Sequence, residues 1–147
     1  MRVYLAGPMT GIPQFNIPNF DAATAYLRTQ GFEVVSPAEL DDPASRAAAM
    51  ASPDGAPGSG SSNGETWGDF LARDVKLLAD GGVEAVYVLP GWEKSRGARL
   101  ETFVASLCKL PIVDYATMTM VRPIVLIGAW AAFDYSRVSP LRKKVTA

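Results

Sequence analysis

Short apolar runs stopped by Gly, Pro or Asp alternate along this chain with longer segments whose apolar residues recur every three to four positions. The runs are Arg2 to Ala6, Glu33 to Ser36, Ala85 to Leu89 and Pro111 to Asp114. The helix-period segments are Phe20 to Gln30 behind a candidate Asn19 cap, Thr66 to Ala79 ahead of Asp80-Gly81-Gly82, and Ala98 to Lys109. Runs this short and continuously apolar read as strands buried on both faces, and their alternation with helices predicts a parallel sheet covered by helices. A chain of 147 residues has room for one such domain.

What the sequence lacks narrows the chemistry. It contains no histidine, which excludes Ser-His-Asp and Cys-His catalysis, His-ligated zinc and imidazole proton transfer; carboxylates and hydroxyls must carry any protons. Cys108 is the only cysteine, so neither an internal disulfide nor a thiolate metal cluster can form within one chain, and its neighbours Leu107 and Leu110 predict a buried structural thiol. Lys and Arg total 14 against 15 Asp and Glu, a net charge of −1, which argues against a nucleic-acid or anionic membrane partner but leaves room for a small anion at a local basic cluster. The N-terminal residues run directly into the first strand without the long apolar core of a secretion signal, so a cytoplasmic protein is expected.

Two segments interrupt the pattern. From Ser52 to Gly64 the chain is rich in Gly, Ser and Pro, with almost no apolar side chain to bury; it reads as a mobile insertion, spanning about 41–64 with a short helix at Ala44 to Ala51 on its near side. Such a loop is either a surface elaboration or a functional lid. Residues 116–147 form a C-terminal extension in which Ile124-Val125-Leu126-Ile127, Trp130 and Phe133 predict an added strand and helix, or an arm that packs on a partner subunit. The apolar run there is too short for a membrane span, and the closing Arg142-Lys143-Lys144 reads as a solvated end.

Three places carry residues that a plain core does not explain. Gly7-Pro8-Met9-Thr10-Gly11 follows the first strand, where an α/β sheet opens its ligand crevice; the loop is either a simple turn or a close approach to a ligand, and it lacks dinucleotide-fingerprint spacing. Asp74 shares a helical stripe with Phe70, Leu71, Leu77 and Leu78, so it is either ion-paired with an Arg or an acid kept for chemistry. In Ser95-Arg96-Gly97-Ala98-Arg99-Leu100-Glu101, a helix beginning near Gly97 or Ala98 would put Glu101 in or just beyond the first turn, where the helix dipole favours the ionised carboxylate. Ser95 and the amides after it then form an anion cradle flanked by Arg96 and Arg99, or else the segment is a well-capped surface helix.

Taken in order, Val3-Tyr4-Leu5-Ala6-Gly7-Pro8, Arg73-Asp74-Val75, the strand Ala85 to Leu89, and Ser95-x-Gly97-x-x-x-Glu101 leading to Leu110-Pro111-Ile112 resemble the nucleoside 2-deoxyribosyltransferase superfamily. The likeness is to its small phage and bacterial members and to the related 2-deoxynucleoside 5-phosphate N-hydrolases, and it covers Arg2 to about Tyr115 apart from the insertion. It implies a Rossmann-like (flavodoxin-like) domain over 1–115, with Glu101 facing the anomeric carbon, Tyr4 orienting it and Asp74 near the sugar or base. Gly7, Pro8, Met9, Thr10, Gly11, Ser95, Arg96, Gly97 and Arg99 would then bind substrate, with no cofactor and no metal. Transferases of this kind usually carry Asp where Ser95 stands; the nucleotide hydrolases carry Ser, which contacts the 5-phosphate.

The expected activity is therefore cleavage of the N-glycosidic bond of a (deoxy)nucleoside 5-phosphate. The alternatives are base exchange by a deoxyribosyltransferase and a non-catalytic nucleotide sensor. Relatives assemble so that a neighbour completes the pocket, which implies a homodimer or higher homo-oligomer.

Overall fold

Side chains alternate across β1 (Arg2–Ala6), and that alternation divides the interior in two. The computed structural model describes residues 1–132. Val3 and Leu5 pack with Ile17, Phe20, Ala23 and Leu27 of α1 (Ile17–Thr29), Val34 of β2 (Glu33–Val35) and Tyr87 of β3 (Ala85–Val88). Tyr4 and Ala6 face the other way, toward Val86 and Val88, Leu78 of α4 (Trp67–Asp80), and Ala98 and Ala105 of α5 (Arg96–Leu107). A one-residue slip of β1 would exchange Tyr4 for Leu5 on the α4–α5 side, so the register of this strand decides whether a phenol reaches that layer.

The sheet runs β2-β1-β3-β4-β5, with β4 at Ile112–Asp114 and β5 at Thr119–Met120. β1 is parallel to β2 and β3, β3 is parallel to β4, and only β5 is antiparallel. The protein is thus an α/β domain with a mostly parallel sheet flanked by helices, in Rossmann-like order. The chain leaves β1 toward β2 and later returns on the opposite side as β3. The crevice outside the strand C-termini at this reversal is where open α/β sheets take ligands.

Local chemistry accounts for the helix boundaries. α4 opens with a reciprocal capping box: the Asp69 amide donates to Thr66 Oγ1 at 3.3 Å, and the Thr66 amide donates to Asp69 Oδ2 at 2.7 Å. α1 starts at Ile17, three residues before the expected Phe20, with Asn16 rather than Asn19 at the cap position and a proline in its first turn. A short α2 (Pro37–Leu40) precedes α3 (Pro43–Ala51), whose Asp42 cap accepts from the amides of Ala44 and Ser45 at 2.9 and 3.0 Å.

Part of the C-terminal extension is built as a strand followed by a helix, the first of its two expected forms. β5 leads to α6 (Pro123–Ala131), and Trp130 Nε1 donates to Thr102 Oγ1 of α5 at 3.1 Å while its ring stands edge-on to Phe103. Phe133 and Arg142-Lys143-Lys144 lie outside the described residues. Cys108 departs from expectation: it is exposed, because it caps the C-terminus of α5, where Leu107 also faces solvent and the chain turns away. No helix among the described residues is long and apolar enough to cross a membrane.

Candidate functional site

A crevice of about 640 Å³ opens at the β1–β3 reversal, a volume ordinary for a small-molecule site. Gly7, Pro8, Met9 and Thr10 line one side, Ser95, Arg96 and Gly97 another, and both Asp74 and Glu101 face into it. Gly7 is required for closeness: a Cβ there would lie 3.0 Å from Leu89 Cβ and 3.2 Å from the Phe20 ring.

Glu101 lies on the buried stripe of α5 with Ala98, Thr102 and Ala105, which turns it toward β1. There the fully buried Tyr4 hydroxyl donates to Glu101 Oε1 at 2.7 Å. Tyr4 stands behind Glu101 rather than on the crevice wall. Burial first, then the charges of Glu101 and Asp74, hold the Tyr4 hydroxyl well above its ordinary pKa, so it stays a phenol and a donor.

The ionisation of Glu101 differs from the sequence expectation. α5 begins at Arg96, so Glu101 is its sixth residue, beyond the free amides of the first turn. Burial dominates instead: aided by the charge of Asp74, and opposed by the Tyr4 hydrogen bond and the charge of Arg73, it raises the carboxyl from 4.5 to about 8. At neutral pH the ligand-free protein holds Glu101 mostly as the acid.

Asp74 is buried on the apolar stripe of α4, as its spacing predicts, and it is also ion-paired: Arg73 Nε donates to Asp74 Oδ1 at 3.2 Å. Burial raises its pKa, and Arg73 offsets part of that rise.

Ser95 is the N-cap of α5, its Oγ accepting from the Ala98 amide at 3.2 Å. Its hydroxyl proton is left to donate, beside the open amides of the helix start. Arg96 lies over the Trp67 ring at 4.7 Å, at the crevice edge. Arg99 does not line the crevice: three residues further along α5, it points toward α6, donating from Nη1 to the Ala132 carbonyl at 2.7 Å. Gly11 is also off the wall, its amide donating to the Gly55 carbonyl at 2.8 Å.

That bond belongs to the insertion, which forms a wall of the crevice. The Gln14 amide donates to the Ser52 carbonyl at 2.9 Å, and Pro57, Gly58, Gly60 and Ser61 line the space. Gln14, Phe15 and Asn16 are all left-handed, with φ of 56°, 49° and 60°, at roughly 1–2 kcal/mol each for non-glycine residues. The turn seats the Phe15 ring against Gly60, where a Cβ would come within 2.9 Å of it. Asn16 Nδ2 holds the turn by donating to the Pro8 carbonyl at 2.8 Å.

Phe15, Asp41, Trp67 and Phe70 also line the crevice and were not singled out from sequence as site residues. Pro-Gln-Phe-Asn has no glycine to announce a left-handed turn, and Asp41 is tied to the rest of the site by Arg73, 32 positions away. Among the described residues no group of three or more Asp, Glu, His or Cys is placed to hold a metal ion.

Fold and site together define an α/β protein with a buried carboxyl–phenol pair and a second acid in one crevice at the sheet reversal. The chain belongs to the family described as Domain of unknown function (DUF4406), matched over residues 1–54 and 57–114. Neither the curated proteins nor the solved structures give a match.

Proposed function

We propose that this protein hydrolyses the N-glycosidic bond of a deoxynucleoside 5-phosphate, with Glu101 as nucleophile and Asp74 as acid and base. What supports the reading is the pairing of Glu101 and Asp74 on one crevice with Tyr4 behind them: a carboxyl held by a phenol at 2.7 Å, beside a second buried acid. Leaving of the base builds positive charge on the sugar, which a carboxylate at C1 stabilises or traps. With Tyr4 on Oε1, Oε2 of ionised Glu101 attacks C1; the C1–N electron pair goes to the base, which takes its proton from Asp74. Water then attacks C1, giving its proton to Asp74 and returning Glu101 as a carboxylate. Ser95, the amides at the start of α5 and Arg96 are suited to the 5-phosphate. The resemblance to nucleoside 2-deoxyribosyltransferases supports the same chemistry, and Ser95 in place of Asp favours the phosphorylated substrate.

The test is incubation with deoxynucleoside 5-monophosphates, with and without a second free base, following released base and new nucleotide by chromatography. Hydrolysis gives free base without an acceptor, and Glu101→Gln abolishes it while binding persists. New nucleotide formed only with the acceptor would assign base exchange instead. Binding without release in the native protein would make it a sensor.

A further inference from the structure

The mechanism uses Tyr4, Glu101 and Asp74 but gives no task to the cation paired with Asp74. Arg73 lies on α4 next to Asp74, half-buried, with its guanidinium 5.4 Å from the Phe70 ring centre. Its Nε donates to Asp74 Oδ1 at 3.2 Å and its Nη1 donates to Asp41 Oδ1 at 2.8 Å. Asp41 comes from the link between α2 and α3, and only 11 % of its side chain is exposed. One planar fork therefore ties together two acids from different parts of the chain, both lining the crevice.

The proton that Asp74 gives to the base can sit on either carboxyl oxygen. A carboxyl oxygen that carries a proton is a poor acceptor, so an N–H aimed at Oδ1 leaves Oδ2 to hold the proton. Arg73 would normally strip that proton altogether, since a cation beside a carboxyl favours the anion. Asp41 counters this by pairing with the same guanidinium.

We propose that Arg73, anchored by Asp41, is a positioning residue that selects Oδ2 of Asp74 as the proton-carrying oxygen and turns it toward the substrate. The inference rests on the glycosidic reading above. The raised pKa of Asp74, despite a neighbouring arginine, agrees with an Arg73 charge already engaged by Asp41. The groups facing Asp74 are Tyr4 from β1, Asp41 from the α2–α3 link, Arg73 from its own helix and Glu101 from α5.

Asp41→Asn keeps the shape and releases the Arg73 charge; Arg73→Lys keeps the charge and loses the fork; Arg73→Met loses both. Two readouts apply to the full chain: the pH profile of base release, and direct titration of the Asp74 carboxyl by carbon-13 NMR without substrate. The Asp74 midpoint should move down in Asp41→Asn and up in Arg73→Met. Arg73→Lys should bring it back toward native while kcat stays about tenfold or more below native, the size of loss expected when an acid is misaimed, with KM little changed. Thermal unfolding of each variant identifies any that fails to fold, and the isosteric Asp41→Asn carries the test in that case. An Asp74 midpoint indifferent to Asp41→Asn and Arg73→Met, or full kcat in Arg73→Lys, overturns the proposal. Because the titration needs no turnover, absence of base release from the native protein would count against the function and leave the Arg73 result readable.

Discussion

Replacing Glu101 by Gln should make the protein increasingly more stable than native as the pH rises above about 4.5 and leave it little changed below that. Glu101 titrates near 4.5 in an unfolded chain and about 8 in the fold, because burial disfavours its charge. Between those values the folded state holds a proton that the unfolded state has released, so raising the pH favours unfolding. The stabilising contribution of the acid form is complete below about 4.5 and is lost progressively as the pH passes through about 8. At about 1.4 kcal/mol per pH unit, that interval corresponds to roughly 5 kcal/mol, comparable to the whole stability of many domains. Glutamine has nearly the same shape, still accepts the Tyr4 hydrogen bond and has no proton to lose. Asp74 titrates in both proteins, so the difference between them isolates position 101 to first order. Urea unfolding of both proteins at about pH 4, 6, 7 and 9, which bracket this window, would measure it. The native curve should fall away from the variant curve by about 1.4 kcal/mol per pH unit through the middle of the range. Parallel curves would refute the claim that Glu101 is buried as an acid.

Base release should rise with pH toward about 8 as Glu101 ionises, and Tyr4→Phe should push that limb higher, because the phenol favours the carboxylate form; kcat/KM against pH for both proteins reads this directly. Ser95→Asp keeps an α5 cap but sets a negative charge beside the proposed phosphate, so kcat/KM should fall for the nucleotide far more than for the matching nucleoside. Gly55→Ala should detach the insertion from the loop after β1, since its φ is 64° and a Cβ would lie 2.1 Å from the Ile12 carbonyl oxygen; limited proteolysis within 52–64 should speed up while the Tm falls by only a few degrees.

Much of the architecture is legible in the sequence. The strand runs and the stripe of Phe70, Leu71, Asp74, Leu77 and Leu78 were read within a residue or two, because local periodicity reports burial directly. Tyr4, Asp74 and Glu101 could be picked out because each stands where pattern and chemistry disagree or where a motif recurs. Structure and sequence pattern part where a local rule meets a stronger tertiary effect. α5 starts at Arg96 rather than near Gly97 or Ala98, and full burial outweighs the helix dipole at Glu101. Arg99 belongs beside α6 because three residues of helix carry it away from the crevice. Cys108 has apolar neighbours in sequence and solvent around it in space.

By itself the sequence determined which segments become strands and helices, which faces of them are apolar, and that any proton transfer would rest on acids and hydroxyls. Only the tertiary structure decided that Asp41 shares a guanidinium with Asp74, that three left-handed residues turn Phe15 onto Gly60, and that Glu101 keeps its proton at neutral pH. The reason is range. Periodicity and capping act within a few residues, whereas a carboxyl's charge state and a crevice wall depend on groups that meet only when distant parts of the chain have packed and water has been excluded.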